Sequence, residues 1–244
     1  MKKFVFSALI LALAGVSGAG ESSAQERHGK TSFILAASWQ PAFCQGNQKK
    51  AECRSQTSDR PDTVNFSLHG LWPMRQQYCG VTSADQAADK KGDWSALPSV
   101  QLSDETKASL SKVMPGTQSG LERHEWTKHG SCTGISADQY FTTSARLIGE
   151  LNKSEVQALF AANIGKTLTA DQIKTAFDKS FGEGASNRVK MSCRKVGDRR
   201  LISELTIGLS AAATSGQESL RDLIQGAGRT SFGCDQGIVD PAGF

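Results

Sequence analysis

Apolar and polar positions alternate in two short stretches near the start of the chain, which predicts two half-buried strands. The apolar positions are Phe33, Leu35, Ala37 and Trp39 in the first stretch, and Val64, Phe66 and Leu68 in the second. Between them, residues 44–62 are polar and contain glycine, asparagine and proline, so they are predicted to form a loop. His69 is expected at the end of the second strand, on the side away from the core.

The middle of the chain carries the start and stop signals of helices. Ser103, followed by two acidic residues, begins a predicted helix that ends before Pro115. Capping-box spacings at residues 136–139 and 169–172 precede apolar runs, and they predict two more helices.

Two further stretches, Arg188–Lys195 and Arg200–Leu209, are joined through Gly197 and Asp198, which predicts a β-hairpin. Strands near both ends with helices between them favour an α+β fold. The sequence contains no internal repeat and no low-complexity linker. We therefore expect a single domain over residues 25–244.

Residues 1–24 have the pattern of a secretory signal peptide. Two lysines precede an apolar run over residues 4–16, and small residues follow up to Ala24, where cleavage is expected; Ala19 is the alternative. The run is too short to cross a bilayer as a helix, and no other segment is apolar enough. These features predict an exported protein, periplasmic or secreted, that does not enter a membrane. Residues 21–30 are expected to be a loose polar arm, with His28 exposed and idle.

Cysteine content and charge narrow the class of protein. All six cysteines lie after the predicted signal peptide, and an even number in an exported chain favours three disulfides. Removing residues 1–24 lowers the formal charge from +4 to +3, since Lys2, Lys3 and Glu21 are lost. So small a charge is not that of a protein that coats nucleic acid. An anionic partner such as RNA would be held at a local site.

The stretch HEWTKHGSC, residues 124–132, concentrates ionisable side chains on one predicted helix. A capping-box spacing from Ser119 to Glu122 precedes it, and Gly130 stands where a helix would end. Its two histidines are five residues apart, which on a regular helix separates them by about 140°. The zinc-protease motif needs histidines four apart, so this spacing does not favour a metal site.

The same stretch suits proton transfer to or from an anionic substrate. Glu125 and His129 are four apart and are expected to share a helix face. The carboxylate should raise the pKa of the imidazole and orient it as a general base. Lys128 and His124 suit a phosphate group. A solvated charged helix face is the alternative, although Cys132 favours a rigidly held helix end.

A second stretch, FSLHGLWP at residues 66–73, contains the other histidine of interest. A lone histidine at a strand end is more often structural than catalytic. Gly70 would permit a sharp turn after His69, and Trp72 would form a rigid wall. Stacking on a base and core packing are both open for Trp72, whereas Trp39 and Trp126 are expected in the core.

HGLWP and HEWTKHGSC together resemble the two active-site segments of the ribonuclease T2 family, and SWQPAFC, LER and IVDPAGF extend the resemblance to its exported bacterial branch. The resemblance implies an α+β fold with helices packed on an antiparallel sheet. It also implies an endoribonuclease that cleaves single-stranded RNA through a 2′,3′-cyclic phosphate to a 3′-phosphate, without a metal or other cofactor. A monomer without an obligate protein partner is expected.

The resemblance assigns roles to individual residues. His129 is similar to the family's proton acceptor and His69 to its proton donor. Glu125 and Lys128 match residues that stabilise the pentacovalent phosphorane, and His124 matches a phosphate-binding histidine. The cysteine pairs implied by the resemblance are Cys44–Cys53, Cys79–Cys132 and Cys193–Cys234, the second of which would place His69 and His129 on two sides of one cleft.

Met74 departs from the family, many members of which have an acidic residue directly after HGLWP. Trp72 and Tyr78 could still stack on a base without reading it, at about 1–3 kcal/mol per base, so low base specificity is expected. Two other classes compete with the ribonuclease: an exported binding protein that has lost activity, and a metallohydrolase. The first predicts that a catalytic residue is missing, but none is; the second is disfavoured by the histidine spacing and by the absence of an aspartate-rich cluster.

Overall fold

A six-stranded sheet runs through the computed structural model, which describes Met1 and residues 29–243. The strands are β1 (Phe33–Ser38), β2 (Ser67–Pro73), β3 (Thr167–Thr169), β4 (Val189–Val196), β5 (Arg199–Leu209) and β6 (Gln236–Ile238). They lie in the order β2-β1-β5-β6-β3, and β4 pairs with the other side of β5 over part of its length. The pairings are antiparallel except that between β5 and β6, which is parallel.

The described part of the chain has nine α-helices, several of which cover one face of the sheet. They are α1 (Gln40–Cys44), α2 (Ala51–Arg54), α3 (Ser83–Lys91), α4 (Asp104–Val113), α5 (Leu121–Lys128), α6 (Ala137–Leu151), α7 (Glu155–Ala162), α8 (Ala170–Phe181) and α9 (Leu220–Gln225). Helix α6 packs on β1 and β2, α9 packs on β5, and α4 and α8 pack on α6 and α9. The α+β fold expected from the sequence is therefore confirmed.

Local signals located several elements correctly. Ser103, Ser136 and Thr169 each accept a hydrogen bond from a backbone N–H of the first turn and so cap α4, α6 and α8. The predicted hairpin is β4–β5, with Gly197 at φ 58° in its turn. No helix among residues 29–243 is both long and apolar enough to cross a membrane. The predicted signal peptide, most of the polar arm and His28 lie outside the described residues.

Strand β2 differs from its prediction in length and in the position of His69. It starts later, leaving Val64 exposed, and continues through HGLWP to Pro73. In the pairing with β1, Gly70 faces Ala36 and Leu68 faces Ala37, so His69 is the extra residue of a β-bulge. His69 therefore lies inside the strand, and Gly70 continues the strand where a turn was expected.

The stretch from residue 44 to 62 was predicted to be a loop, but it is partly helical. Helices α1 and α2 are joined by the Cys44–Cys53 disulfide, and Arg60 forms an ion pair of 2.8 Å with Asp62. Because the disulfide and the ion pair help to hold these short helices, the helices can form without strong helix signals in the sequence. The other disulfides are Cys79–Cys132 and Cys193–Cys234, so all three pairs are those expected.

The core lies between the inner face of the sheet and the helices. On β1 and β5 the inner face is formed by Leu35, Ala37, Leu205, Ile207 and Leu209, all fully buried. Trp39 packs among aromatic rings, with centroids 5.5 Å from Phe66 and 5.3 Å from Phe160, as its predicted core position requires. The opposite face of β5 carries Glu204 and Thr206, and the candidate site lies at its edge.

Candidate active site

The β-bulge in β2 turns the His69 imidazole toward two carboxylates. Its Nδ1 lies 2.7 Å from Glu204 Oε2, on β5, and its Nε2 lies 3.8 Å from Glu125 Oε1. Burial lowers the pKa of His69, but the hydrogen bond to Glu204 and the negative charges of Glu125 and Glu204 outweigh it and raise the pKa above its ordinary value. The side chain remains 36% exposed. The two carboxylates thus favour the charged form of His69, and the side chain can reach solvent.

Helix α5 supplies the other ionisable groups, and it begins and ends differently from its prediction. Its N-cap is Gly120, at φ 77°, whereas Ser119 donates a hydrogen bond to Glu52 and caps nothing. The helix ends at Lys128, and His129 is its C-cap, with φ −117°. Because His129 has left the regular helix, its ring is not placed by helix periodicity.

Glu125 occupies the centre of the site and is completely buried. Its Oε2 accepts a hydrogen bond of 2.8 Å from Trp72 Nε1, and its Oε1 lies 3.7 Å from His124 Nε2. Burial raises the pKa of Glu125 to about 7, against the opposing effects of His69, Trp72 and Lys128. This carboxyl group can therefore exchange a proton near neutral pH.

Gly70 explains how Glu125 reaches the strand. A Cβ atom at Gly70 would lie 1.8 Å from Glu125 Oε2 and 2.5 Å from Trp72 Nε1, which is closer than such atoms can approach. Only a glycine lets the carboxylate lie against the backbone of β2 here. The glycine of HGLWP is thus required by this contact and not by a turn.

His129 lies in surroundings opposite to those of His69. Its ring stacks on Trp72 with centroids 5.5 Å apart, only 7% of the residue is exposed, and its buried Nδ1 has no hydrogen-bond partner in the described chain. Burial, helped by the positive charges of Lys128, His124 and His69, lowers its pKa to about 3. The sequence predicted that Glu125 would raise this pKa and hold the ring. That prediction is wrong, because the carboxylate turns toward His69, His124 and Trp72.

His124 is fixed on the other side of Glu125. Its Nδ1 lies 2.6 Å from Asp89 Oδ1 on α3, and its ring stacks on Trp94 with centroids 4.7 Å apart. Lys50 Nζ also lies over the Trp94 ring, 4.5 Å from its centroid. Burial lowers the pKa of His124, and Lys128 and His69 add to that effect, while Asp89 opposes it.

Tyr78 and His124 both bind Asp89. Tyr78 makes none of the contacts with His69, Glu125 and His129 that are found for Trp72. Its hydroxyl donates a hydrogen bond of 2.8 Å to Asp89, its backbone N–H donates to the Lys128 carbonyl, and the adjacent disulfide joins Cys79 to Cys132. Burial and Asp89 raise the pKa of Tyr78 to about 12. Trp126 is half-buried against Tyr140, with centroids 5.9 Å apart, in line with its predicted packing role.

The geometric argument against a metal ion assumed that the helix is regular through His129, and it is not. One ligand atom from each of His124, Glu125 and His129 lies within 4.8 Å of the others. These are donor types that zinc accepts, so the five-residue spacing excludes nothing.

Three residues of the site have no motif in the sequence: Asp89, Trp94 and Glu204. Glu204 is separated from His69 by 135 residues and Asp89 from His124 by 35. The one available signal is that Glu204 is the single charged residue in the stretch LISELTIGL, residues 201–209. A carboxylate in such a position needs a partner, and His69 is that partner.

Comparisons with known proteins agree with this geometry. The chain matches the Ribonuclease T2 family over residues 30–222. It is 31% identical over 240 residues to Ribonuclease I of Escherichia coli (strain K12), with 87% of each chain covered. A probable ribonuclease of Haemophilus influenzae is 34% identical over 125 residues, covering 49% of this chain and 42% of that protein.

The fold is shared more widely than the sequence. The crystal structure of the self-incompatibility associated SF11-RNase of Nicotiana alata superposes with a TM-score of 0.51 at 18% identity, covering 74% of this chain and 87% of that one. All the side chains described above lie within residues 30–222, the region that matches the family. The site and the similarity thus concern the same part of the molecule, and the chain belongs to the Ribonuclease T2 family.

Proposed function

We propose that this ribonuclease cleaves single-stranded RNA internally by transphosphorylation, giving a 2′,3′-cyclic phosphate and then a 3′-phosphate. His129 accepts the proton of the ribose 2′-OH, and His69 protonates the leaving 5′-oxygen. The observation that supports these roles is the opposite displacement of the two pKa values. Between these two pKa values His129 is neutral while His69 is protonated, and this is the pair of protonation states that the reaction needs.

Trp72 relates the two histidines to each other. Its ring is stacked on His129 and lies edge-on to His69, with centroids 5.1 Å apart. A phosphate bound beside the Trp72 ring would have the imidazole of His69 on one side and the imidazole of His129 on the other. In-line displacement requires an acid and a base arranged in this way. Trp72 also holds Glu125 through its N–H, so it positions three of the proposed groups.

Glu125, Lys128 and His124 are proposed to stabilise the pentacovalent phosphorane. A carboxyl group with a pKa of about 7 can share a proton with a phosphoryl oxygen. The positive charge of Lys128 offsets the negative charge that grows on the phosphoryl oxygens. Asp89 binds Nδ1 of His124 and so fixes the direction of Nε2, which lies 3.7 Å from Glu125. These interactions matter most in the transition state, where the negative charge is largest.

Low base specificity follows from the residues near Trp72. Met74 is 41% exposed and offers no hydrogen bond to a base edge, and the Tyr78 hydroxyl already donates to Asp89. Stacking on an aromatic ring favours every base in a similar way. We propose that RNA is bound through its phosphates, sugars and base faces. Residues 25–244 are proposed to be the exported catalytic domain, active as a monomer without a cofactor and located in the periplasm or outside the cell.

The experiment is a digestion of two RNA strands that differ at one linkage, where the ribose 2′-OH is replaced by hydrogen in the second strand. We expect cleavage at that linkage to disappear and cleavage elsewhere to continue, with cyclic-phosphate ends appearing before 3′-phosphate ends. Addition of EDTA should change neither result. Normal cleavage at the modified linkage would show that the ribose is not the nucleophile. Loss of activity with EDTA, restored by zinc, would instead favour an ion between His124, Glu125 and His129.

A further inference from the structure

The outer face of β5 leads away from the proposed active site toward a cluster of cations. Side chains alternate along this strand, and Leu205, Ile207 and Leu209 point into the core. Glu204, Thr206 and Gly208 therefore share the outer face, and Glu204 contacts His69. The sheet surface beyond Glu204 is thus continuous with the site.

A cavity of about 410 Å³ lies on this surface, between the ends of β1 and β4 and the residues that follow Pro73. Five cationic residues contribute to its lining: Lys30, Arg75, Arg188, Lys190 and Arg229. Among the described residues that line it, none is a carboxylate. Such a concentration of unbalanced positive charge attracts an anion.

Arg188 is the member of this cluster that is costly to leave unpaired. It is only 8% exposed, its Nε donates to the Ala227 carbonyl and its Nη1 to the Gly184 carbonyl. Within residues 29–243 it forms no ion pair with a carboxylate, and its Nη2, which bonds to none of these residues, is open to solvent. A mostly buried guanidinium without a counter-charge is stabilised when an anion binds its open nitrogen.

We propose that this cavity binds a phosphate of the RNA strand, one or two nucleotides away from the scissile phosphate. Thr206 and Gly208 follow Glu204 by two and four positions, so the cavity lies about 7–14 Å along β5 from the carboxylate that holds His69. Guanidinium groups match phosphate oxygens in geometry and charge. The inference rests on the proposed function, and it adds a second binding site for the same substrate.

The test compares two substrates and two double variants. One substrate is a dinucleoside monophosphate, which has the scissile linkage alone; the other is a short DNA oligonucleotide with one ribose at the scissile position. The variant Arg75→Asn with Arg229→Gln removes two exposed cations, and asparagine tolerates the φ of 65° at residue 75. The matched control, Lys112→Gln with Lys153→Gln, removes two exposed lysines from the helical side.

We expect the ratio of kcat/KM for the oligonucleotide to that for the dinucleotide to fall about tenfold or more in the arginine variant, as for a lost charge-assisted hydrogen bond. It should stay unchanged in the lysine control. The dependence of the oligonucleotide kcat/KM on salt should also become shallower, by about one unit of logarithmic slope. Arg188 is left in place because it also holds two carbonyl groups.

An unchanged ratio in the arginine variant, or an equal loss on both substrates, would overturn the proposal. If the ratio is unchanged and the arginine variant instead loses binding to vesicles of an anionic phospholipid, the cavity binds a lipid headgroup and the proposal is likewise overturned. Failure of the unmodified protein to cleave the dinucleoside monophosphate is a different result. It would contradict the proposed ribonuclease mechanism itself.

Discussion

His69 and His129 are the same side chain in two opposite surroundings. His69 lies on a strand, is one-third exposed, and faces the carboxylates of Glu204 and Glu125. His129 lies at a helix end, is almost fully buried, stacks on Trp72 and has the Lys128 charge beside it. The first has a raised pKa and the second a lowered one. The structural element that carries each histidine therefore decides in which direction the pKa of its imidazole is shifted.

The difference arises from backbone features as much as from neighbouring charges. A bulge in β2 turns His69 toward β5, and the end of α5 lets the His129 ring leave the helix face. A regular strand or a continued helix would place both rings elsewhere. The division of labour between acid and base is therefore built into two local irregularities of the fold.

The largest effect is expected from removing either imidazole. His69→Ala and His129→Ala should each lower kcat by about 10²–10⁴, the usual contribution of one acid or base. The double variant should lose far less than the product of the two factors, because each group needs the other. Single-turnover rates check this, with circular dichroism to confirm folding and Lys112→Ala as a surface control. A loss below tenfold for either histidine would contradict its proposed role.

Of two disulfides that close loops of very different length, Cys79–Cys132 should contribute more to stability than Cys44–Cys53. Cys79–Cys132 closes a loop of 53 residues, and Cys44–Cys53 closes one of 9. Loop-closure entropy predicts that changing both cysteines to alanine costs about 4 kcal/mol of unfolding free energy for the first pair and about 2.6 kcal/mol for the second. Denaturant unfolding of both double variants measures the difference. Equal losses, or a larger loss for the short loop, would argue against the entropic account.

Gly70 tests how closely the strand must approach the helix. Gly70→Ala puts a methyl group where Glu125 and Trp72 now lie, so both must shift. A displacement of about 1 Å at such a site costs about 10² in rate. Gly149→Ala is the matched control, since a Cβ at that helical glycine meets nothing within 4 Å. If Gly70→Ala kept full activity, the packing of Glu125 against β2 would be irrelevant to catalysis.

The sequence predicted those parts of the molecule that short-range rules determine. Strand β1, the β4–β5 hairpin and the capped helices α4, α6 and α8 all depend on residues within a few positions of one another. The bulge at His69 could not be predicted, because it exists only in the pairing of β2 with β1. The short helices α1 and α2 depend similarly on a disulfide.

The candidate site likewise has features that short-range rules predict and features that depend on contacts distant in sequence. The motifs identified the segments that bear His69, Trp72, His124, Glu125 and His129, and the fold brings these residues together. The helix-face argument nevertheless paired Glu125 with His129, whereas tertiary contacts turn the carboxylate toward His69 and His124. Glu204 and Asp89 were missed because their partners are distant in sequence.

The smallest effect, and the most specific one, is expected from Glu204→Gln, which removes a charge beside His69 and leaves a hydrogen-bond acceptor. The charge of Glu204 helps to raise the pKa of His69 and also that of Glu125, so its loss should lower both. Cleavage needs His69 protonated, and activity is therefore lost as pH rises through its pKa. The alkaline limb of kcat/KM should move to lower pH, and the rate at neutral pH should fall by about tenfold or less.

The acidic limb should not move in this variant. The acidic limb depends on His129 being neutral. The pKa of His129, about 3, is set by burial, Lys128 and the other histidines rather than by Glu204. Profiles of kcat/KM against pH for the wild type, Glu204→Gln and the exposed control Glu183→Gln measure both limbs, and NMR titration of His69 gives its pKa directly. A lowered rate with both limbs in place would mean that Glu204 only orients the ring. A shift of the acidic limb would mean that the two histidines titrate as one coupled pair, and the separation between acid and base would have to be abandoned.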